Sequence, residues 1–115
     1  MRRADGDKDI HVNVEHDAAS DLSIVTVTGE ADDSTAPLID RALRRHGTPT
    51  TVVFDLSGLS FADSAMLHLM LHESVSSRVV VAGPLPVAIQ RLFQATGTEG
   101  LFTIAPDIEA ALRDL

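Results

Sequence analysis

The sequence predicts an α/β fold: a single domain on a mostly parallel central sheet of four to five strands, with about four helices. Three observations carry this. Runs rich in β-branched residues alternate with stretches of helical period through most of the chain, the pattern of strand–helix–strand crossovers. The centre of one run, Val52-Val53-Phe54, is apolar throughout, as in a strand buried on both faces. The 115 residues suffice for one core, burying roughly two-thirds of the surface exposed by the unfolded chain, and no repeat or linker divides them.

Residues 1–9 read as a flexible polar lead-in to a domain spanning 10–115. His11 to Glu15 alternate weakly, as a short edge strand does. Asp17 to Asp21 form a turn, and Leu22 to Thr28 are a second strand that Gly29 ends. Asp32, Asp33 and Ser34 are each able to cap the next helix. Pro37 fits its first turn, Leu38, Ile39, Ala42 and Leu43 form its apolar face, and Arg41, Arg44, Arg45 and His46 suit its C-terminal end before Gly47. Thr50 to Leu56 are a third strand, and Ser57-Gly58-Leu59-Ser60 turn the chain. A second helix covers about Ser64 to Val75. Arg78 to Ala82 are a fourth strand, broken by Gly83-Pro84-Leu85-Pro86. A third helix follows over Val87 to Thr96, with Val87, Leu92 and Phe93 available to pack inward. Gly97 and Gly100 frame a turn, and Leu101 to Ile104 are a short last strand. Pro106 and Asp107 open a final helix to about Leu115, with Ile108, Ala111, Leu112 and Leu115 on one face.

Composition narrows the function. The net charge is −8, which repels phosphate backbones and anionic lipid surfaces, so neither nucleic acid nor membrane is the expected partner. The chain has no Trp, Tyr or Cys. Aromatic platforms for single strands are nearly absent, and disulfides, thiolate metal sites and cysteine nucleophiles are excluded. The first nine residues lack the apolar core of a secretory signal, and no stretch nears the roughly 18 apolar residues of a membrane span. A cytoplasmic location is expected. There is no Gly-x-Gly-x-x-Gly, no P-loop and no nucleophile elbow, so the chain is read as non-enzymatic and without a cofactor.

The informative stretch is Val52 to Leu71. It holds a buried strand ending in Asp55-Leu56, a short loop, and an Asp63-Ser64 pair at a helix start. Gly29-Glu30-Ala31-Asp32 precedes the first helix, and Val79 to Pro84 read as strand and turn. In order and spacing, over about residues 10 to 115, this resembles the STAS domain family, specifically its anti-sigma factor antagonists. The resemblance implies a bacterial transcription regulator that works by partner switching. It would bind an anti-sigma factor that is also a serine kinase and would be switched off when that kinase phosphorylates it. By the same resemblance the phospho-acceptor is Ser64, flanked by Asp32 and Asp63, with Ala65, Met66 and Leu67 completing the partner-binding segment. Family antagonists follow the Asp-Ser pair with a small hydroxyl residue and Gly; here Ala65 and Met66 stand there, and Met66 is expected to project a flexible apolar side chain at the helix start.

Other readings compete. Ser64 is also suited to be a plain N-cap. In that case the chain would be an unphosphorylated STAS scaffold subunit of a larger complex, such as a lipid-transport ATPase or a stress-signalling assembly. Met66, Leu67, Leu69, Met70 and Leu71 exceed what one buried stripe needs, which suggests an interface as well as a core. His68 and His72 have a zinc-like i, i+4 spacing, yet no metalloprotease pattern surrounds them and a solvated polar stripe is the expectation. Asp32-Asp33 has no matching ligand set, so no metal is expected. Asp55 ends a strand as a response-regulator acceptor would, but the single lysine, Lys8, lies in the lead-in. Monomer and homodimer both stay open.

Overall fold

In the computed structural model, which describes residues 10–115, the β-branched runs become strands of one five-stranded sheet. The lead-in expected over residues 1–9 lies outside the described residues. The elements are β1 (Ile10–Asp17), β2 (Leu22–Ala31), α1 (Ala36–Arg44), β3 (Thr51–Ala62), α2 (Ser64–Ser74), β4 (Arg78–Ala82), α3 (Val87–Thr96), a 3₁₀ turn (Glu99–Leu101), β5 (Thr103–Ala105) and α4 (Ile108–Arg113). Strand order follows chain order, β1-β2-β3-β4-β5. β1 pairs antiparallel with β2 and every later pair is parallel.

Crossovers of one hand, all advancing in one direction, put their helices on one face of a sheet. Accordingly Ile39 and Leu43 of α1, Met66, Leu67 and Met70 of α2, and Ile89 and Phe93 of α3 share a core with Val25, Val27, Phe54, Leu56 and Val81. α4 has no strand to return to and covers the opposite face. There Ala110 and Ala111 pack on Val53, Val80, Ala82 and Ala105, small residues that let the helix lie close.

One expected strand end, at Gly29, and one expected turn, Ser57–Ser60, are strand instead. β2 runs through Gly29 to Ala31, and β3 runs through Ser57–Ser60 to Ala62. The glycines serve irregularities within the ladder, where the register shifts between Thr26 and Thr28 and between Gly29 and Glu30. A Cβ on Gly58 would lie 2.5 Å from Thr28 Cγ2, so only glycine lets the strands approach there. Gly29 has φ 101°, a conformation glycine adopts without strain.

Three further details differ from expectation. In α3 the i, i+4 pair Ile89 and Phe93 packs inward, whereas Val87, in the first position, is exposed. The last strand starts two residues late because Leu101 belongs to the 3₁₀ turn. α4 ends at Arg113, short of Leu115, and both Leu115 and Leu112, within the helix, are exposed.

The β1–β2 hairpin is fastened to β3 by Asp21. Its φ of 52° is one that Asp tolerates better than most residues. Its carboxylate accepts hydrogen bonds from the Thr50 hydroxyl at 2.7 Å and the Thr50 amide at 2.9 Å. These bonds hold the carboxyl below its ordinary range, the hydroxyl contributing most.

Arg44, in the last turn of α1, complements the helix dipole. The structure gives it a second role: its guanidinium lies 2.6 Å from the carboxylate of Glu73 on α2, which is 1% exposed. Removing one partner of such a pair leaves a buried, uncompensated charge. Arg44→Met, which keeps the aliphatic stem, is therefore expected to destabilise the fold by about 2–3 kcal/mol, less than for a fully buried pair because solvent reaches Arg44. Urea unfolding measures this, and a loss below about 0.5 kcal/mol would mean that the pair is immaterial.

Candidate functional site

The ends of β2 and β3 bring two loops together. Ala31 lies opposite Ala62 in the parallel ladder. One step further, the Asp63 amide donates to the Ala31 carbonyl at 3.1 Å. The β2–α1 loop and the start of α2 are therefore neighbours, at the carboxyl end of the sheet, where open α/β sheets place their binding sites.

Asp63, and not Ser64, caps α2. Its backbone is extended (φ −123°, ψ −166°) and its carboxylate accepts from the Ala65 amide at 2.9 Å. An aspartate there satisfies one orphan N–H and adds a negative charge at the positive end of the helix dipole. Ser64 is displaced into the first helical position. It is exposed, and its hydroxyl makes no hydrogen bond among the described residues. The N-cap role that competed for Ser64 is thus filled by its neighbour.

Asp32 is 3% exposed and organises its own loop. One carboxylate oxygen accepts from the Ser34 hydroxyl at 2.7 Å, the Ser34 amide at 2.9 Å and the Thr35 amide at 3.1 Å. The Thr35 hydroxyl donates to the Glu30 carbonyl and accepts from the Asp32 amide, both at 2.8 Å. Thr35 occupies the N-cap position of α1 without a side-chain cap bond, so none of Asp32, Asp33 and Ser34 holds the position expected of it.

Of the remaining segment, Ala65 is half-buried, Met66 is fully buried and Leu67 is 3% exposed. The projection expected of Met66 is corrected: its side chain points into the core beneath the loop. Leu69 and Leu71 are half-buried and Met70 is fully buried, so most of the apolar excess in α2 is core.

Beside Ser64 a surface groove of about 470 Å³ runs between α1 and α2, lined by Asp33, Pro37, Asp40, Ala65, His68 and His72 among others. Among the described residues no group of three His, Cys, Asp or Glu side chains is placed to hold a metal. Nor is any described helix long and apolar enough to cross a membrane.

Phe61 is a feature that sequence reasoning missed. It is 45% exposed, three residues before Ser64. Period-2 alternation from the buried Ala62 would have pointed it outward, had β3 been read as continuous to that residue.

A family model for the STAS domain matches residues 11–111. The structure is similar to that of an anti-sigma factor antagonist from Mycobacterium paratuberculosis, with 27% identity over 92% of this chain and 93% of that one, at a TM-score of 0.78. It shares its fold with the anti-sigma factor antagonist SpoIIAA in its unphosphorylated form (23% identity, 91% and 98% covered, TM-score 0.69). It shares it also with the Bacillus cell fate determinant SpoIIAA in the phosphorylated form (24% identity, 91% and 100% covered, TM-score 0.61). No curated protein sequence matches the chain significantly.

The cap geometry separates two neighbouring residues by their effect on stability. Asp63→Ala should cost about 1 kcal/mol through the lost cap. Ser64→Ala should stay within about 0.5 kcal/mol of the parent, because no contact is lost. Chemical denaturation of both variants checks this; the reverse order would return the cap to Ser64.

Proposed function

This chain belongs to the STAS domain family, and on that footing we propose that it is an anti-sigma factor antagonist that binds an anti-sigma factor with serine kinase activity and is released when Ser64 is phosphorylated. The observation that carries the reading is the exposed, unbonded Ser64 hydroxyl in the first position of α2. In the transfer, Ser64 Oγ attacks the γ-phosphorus of a nucleoside triphosphate held by the kinase. The bond to the β-phosphate oxygen breaks as the new P–O bond forms, and the hydroxyl proton passes to a base of the kinase.

The antagonist's part is presentation. Asp63 holds the helix start rigid, Asp32 and Thr35 hold the adjacent loop, and Met66 and Leu67 anchor α2 from below. The surface offered to the partner is then Ser64 with Asp63 and Ala65, bordered by the exposed Asp33 and Phe61. A phosphate adds about −1.5 to −2 charges to a corner that already carries Asp32, Asp33 and Asp63. Charge and bulk at that corner expel the partner without refolding the domain. The likeness of this backbone to both the phosphorylated and unphosphorylated forms of SpoIIAA supports a switch of that kind.

The scaffold alternative has Ser64 serving only as the N-cap of α2, a position that Asp63 occupies instead.

The test is retention of partners from the native bacterial lysate by the parent chain, Ser64→Ala and Ser64→Asp, read by quantitative mass spectrometry. The parent and Ser64→Ala are expected to retain a small ATP-binding serine kinase, and Ser64→Asp to retain roughly tenfold less, equivalent to about 1.4 kcal/mol. Equal retention of one partner by the parent and Ser64→Asp would transfer the reading to a scaffold.

A further inference from the structure

β1 occupies one end of the strand order, so the outward-facing amides and carbonyls of its eight residues have no strand partner among the described residues. The opposite edge strand, β5, has only three residues. A long free edge is a template for another strand unless something blunts it. The β1 sequence is Ile-His-Val-Asn-Val-Glu-His-Asp, with Ile10, Val12, Val14 and His16 half-buried on one face and His11, Asn13, Glu15 and Asp17 exposed on the other.

This strand is complementary to itself. A second copy laid antiparallel about Asn13 sets His11 against Glu15, Val12 against Val14, Ile10 against His16 and Asn13 against its own counterpart. The exposed face then pairs an imidazole with a carboxylate twice, and the other face pairs valine with valine, both favourable as directly opposed pairs. Opposed residues are an even number of positions apart, so the register works whichever alternate set of amides points outward.

A second observation extends the surface. On α1, Ile39 and Leu43 face the core, Ala36 and Asp40 line the groove shared with α2, and Arg44 reaches Glu73. Steps of 100° then put Leu38 and Ala42 on the flank away from α2, above the free edge of β1. Leu38 is 43% exposed, and nothing among the described residues covers it further. A two-fold axis perpendicular to the sheet brings both α1 flanks to the same face of a continuous ten-stranded sheet, apolar side to apolar side.

We propose that the β1 edge, extended by Leu38 and Ala42 of α1, is a homodimer interface built by antiparallel pairing of β1 with β1 of a second copy about Asn13. Ser64 stays at the carboxyl ends of β2 and β3, outside the paired edge, so the two proposals stand independently. The net charge of −8 on each copy opposes association and makes the dimer concentration-dependent rather than obligate.

The absence of cysteine makes a register test clean. Directly opposed residues have Cα atoms about 4.5–5.5 Å apart, within the span a disulfide bridges. Asn13→Cys, exposed to oxidised glutathione, is expected to form a covalent dimer at least about tenfold faster than Ala95→Cys on the exposed surface of α3, because pairing raises the effective thiol concentration. In sedimentation velocity the parent chain should shift toward dimer as concentration rises. Asn13→Glu, which sets two like charges face to face, should remain monomeric with unchanged circular dichroism. A parent chain monomeric at every concentration, cross-linking of Asn13→Cys no faster than of Ala95→Cys, or a dimer that survives Asn13→Glu would each overturn the proposal. The first two results would leave the edge to a strand from another protein.

Discussion

β2 and β3 run parallel as far as Ala31 and Ala62, and the hydrogen bond from the Asp63 amide to the Ala31 carbonyl closes their ladder. Without this extended pairing the two loops at the carboxyl end of the sheet would not be neighbours. The pairing continues past Gly29 and Gly58 because one glycine takes a positive φ and the other has no Cβ to strike Thr28. Everything at the candidate site hangs from that corner. Asp63 can cap α2 because the ladder delivers it in extended conformation, and Ser64 follows as an exposed first helical residue.

Rigidity comes from several directions at once. The Asp32 carboxylate and the Thr35 hydroxyl between them satisfy three backbone groups of the β2–α1 loop. Met66, Leu67 and Met70 tie α2 to the sheet, and the Arg44–Glu73 pair ties α1 to α2. On such a frame, the proposed phosphorylation would change the charge at Ser64 while the frame stays in place. That suits a switch that works by repulsion rather than by rearrangement.

Much of this was legible in the sequence. The β-branched runs became strands, the apolar Val52-Val53-Phe54 became the fully buried centre of the sheet, and the Asp63-Ser64 pair lies at a helix start. What stayed hidden depended on partners distant in the chain. Gly58 reads as a turn until Thr28 is placed beside it. The burial of Glu73 is understandable only once Arg44, 29 residues earlier in the sequence, reaches it. Asp63 and Ser64 are both good caps, and only the path of β3 decides between them. Met66 lies opposite the exposed Ser64, His68 and His72 stripe of α2, so the helical period already pointed it inward; the number of apolar residues on the helix hid that signal. The free edge of β1 was visible as an edge, but its self-complementarity about Asn13 follows only from the strand order.

The most direct measurement is site-mapped phosphorylation of the purified chain by an anti-sigma factor serine kinase from the same organism, with ATP and Mg²⁺, read by tandem mass spectrometry. The account predicts one phosphate, on Ser64, with the fold unchanged by circular dichroism. No incorporation by a kinase that binds the chain, or a phosphate at another serine or threonine, would contradict it.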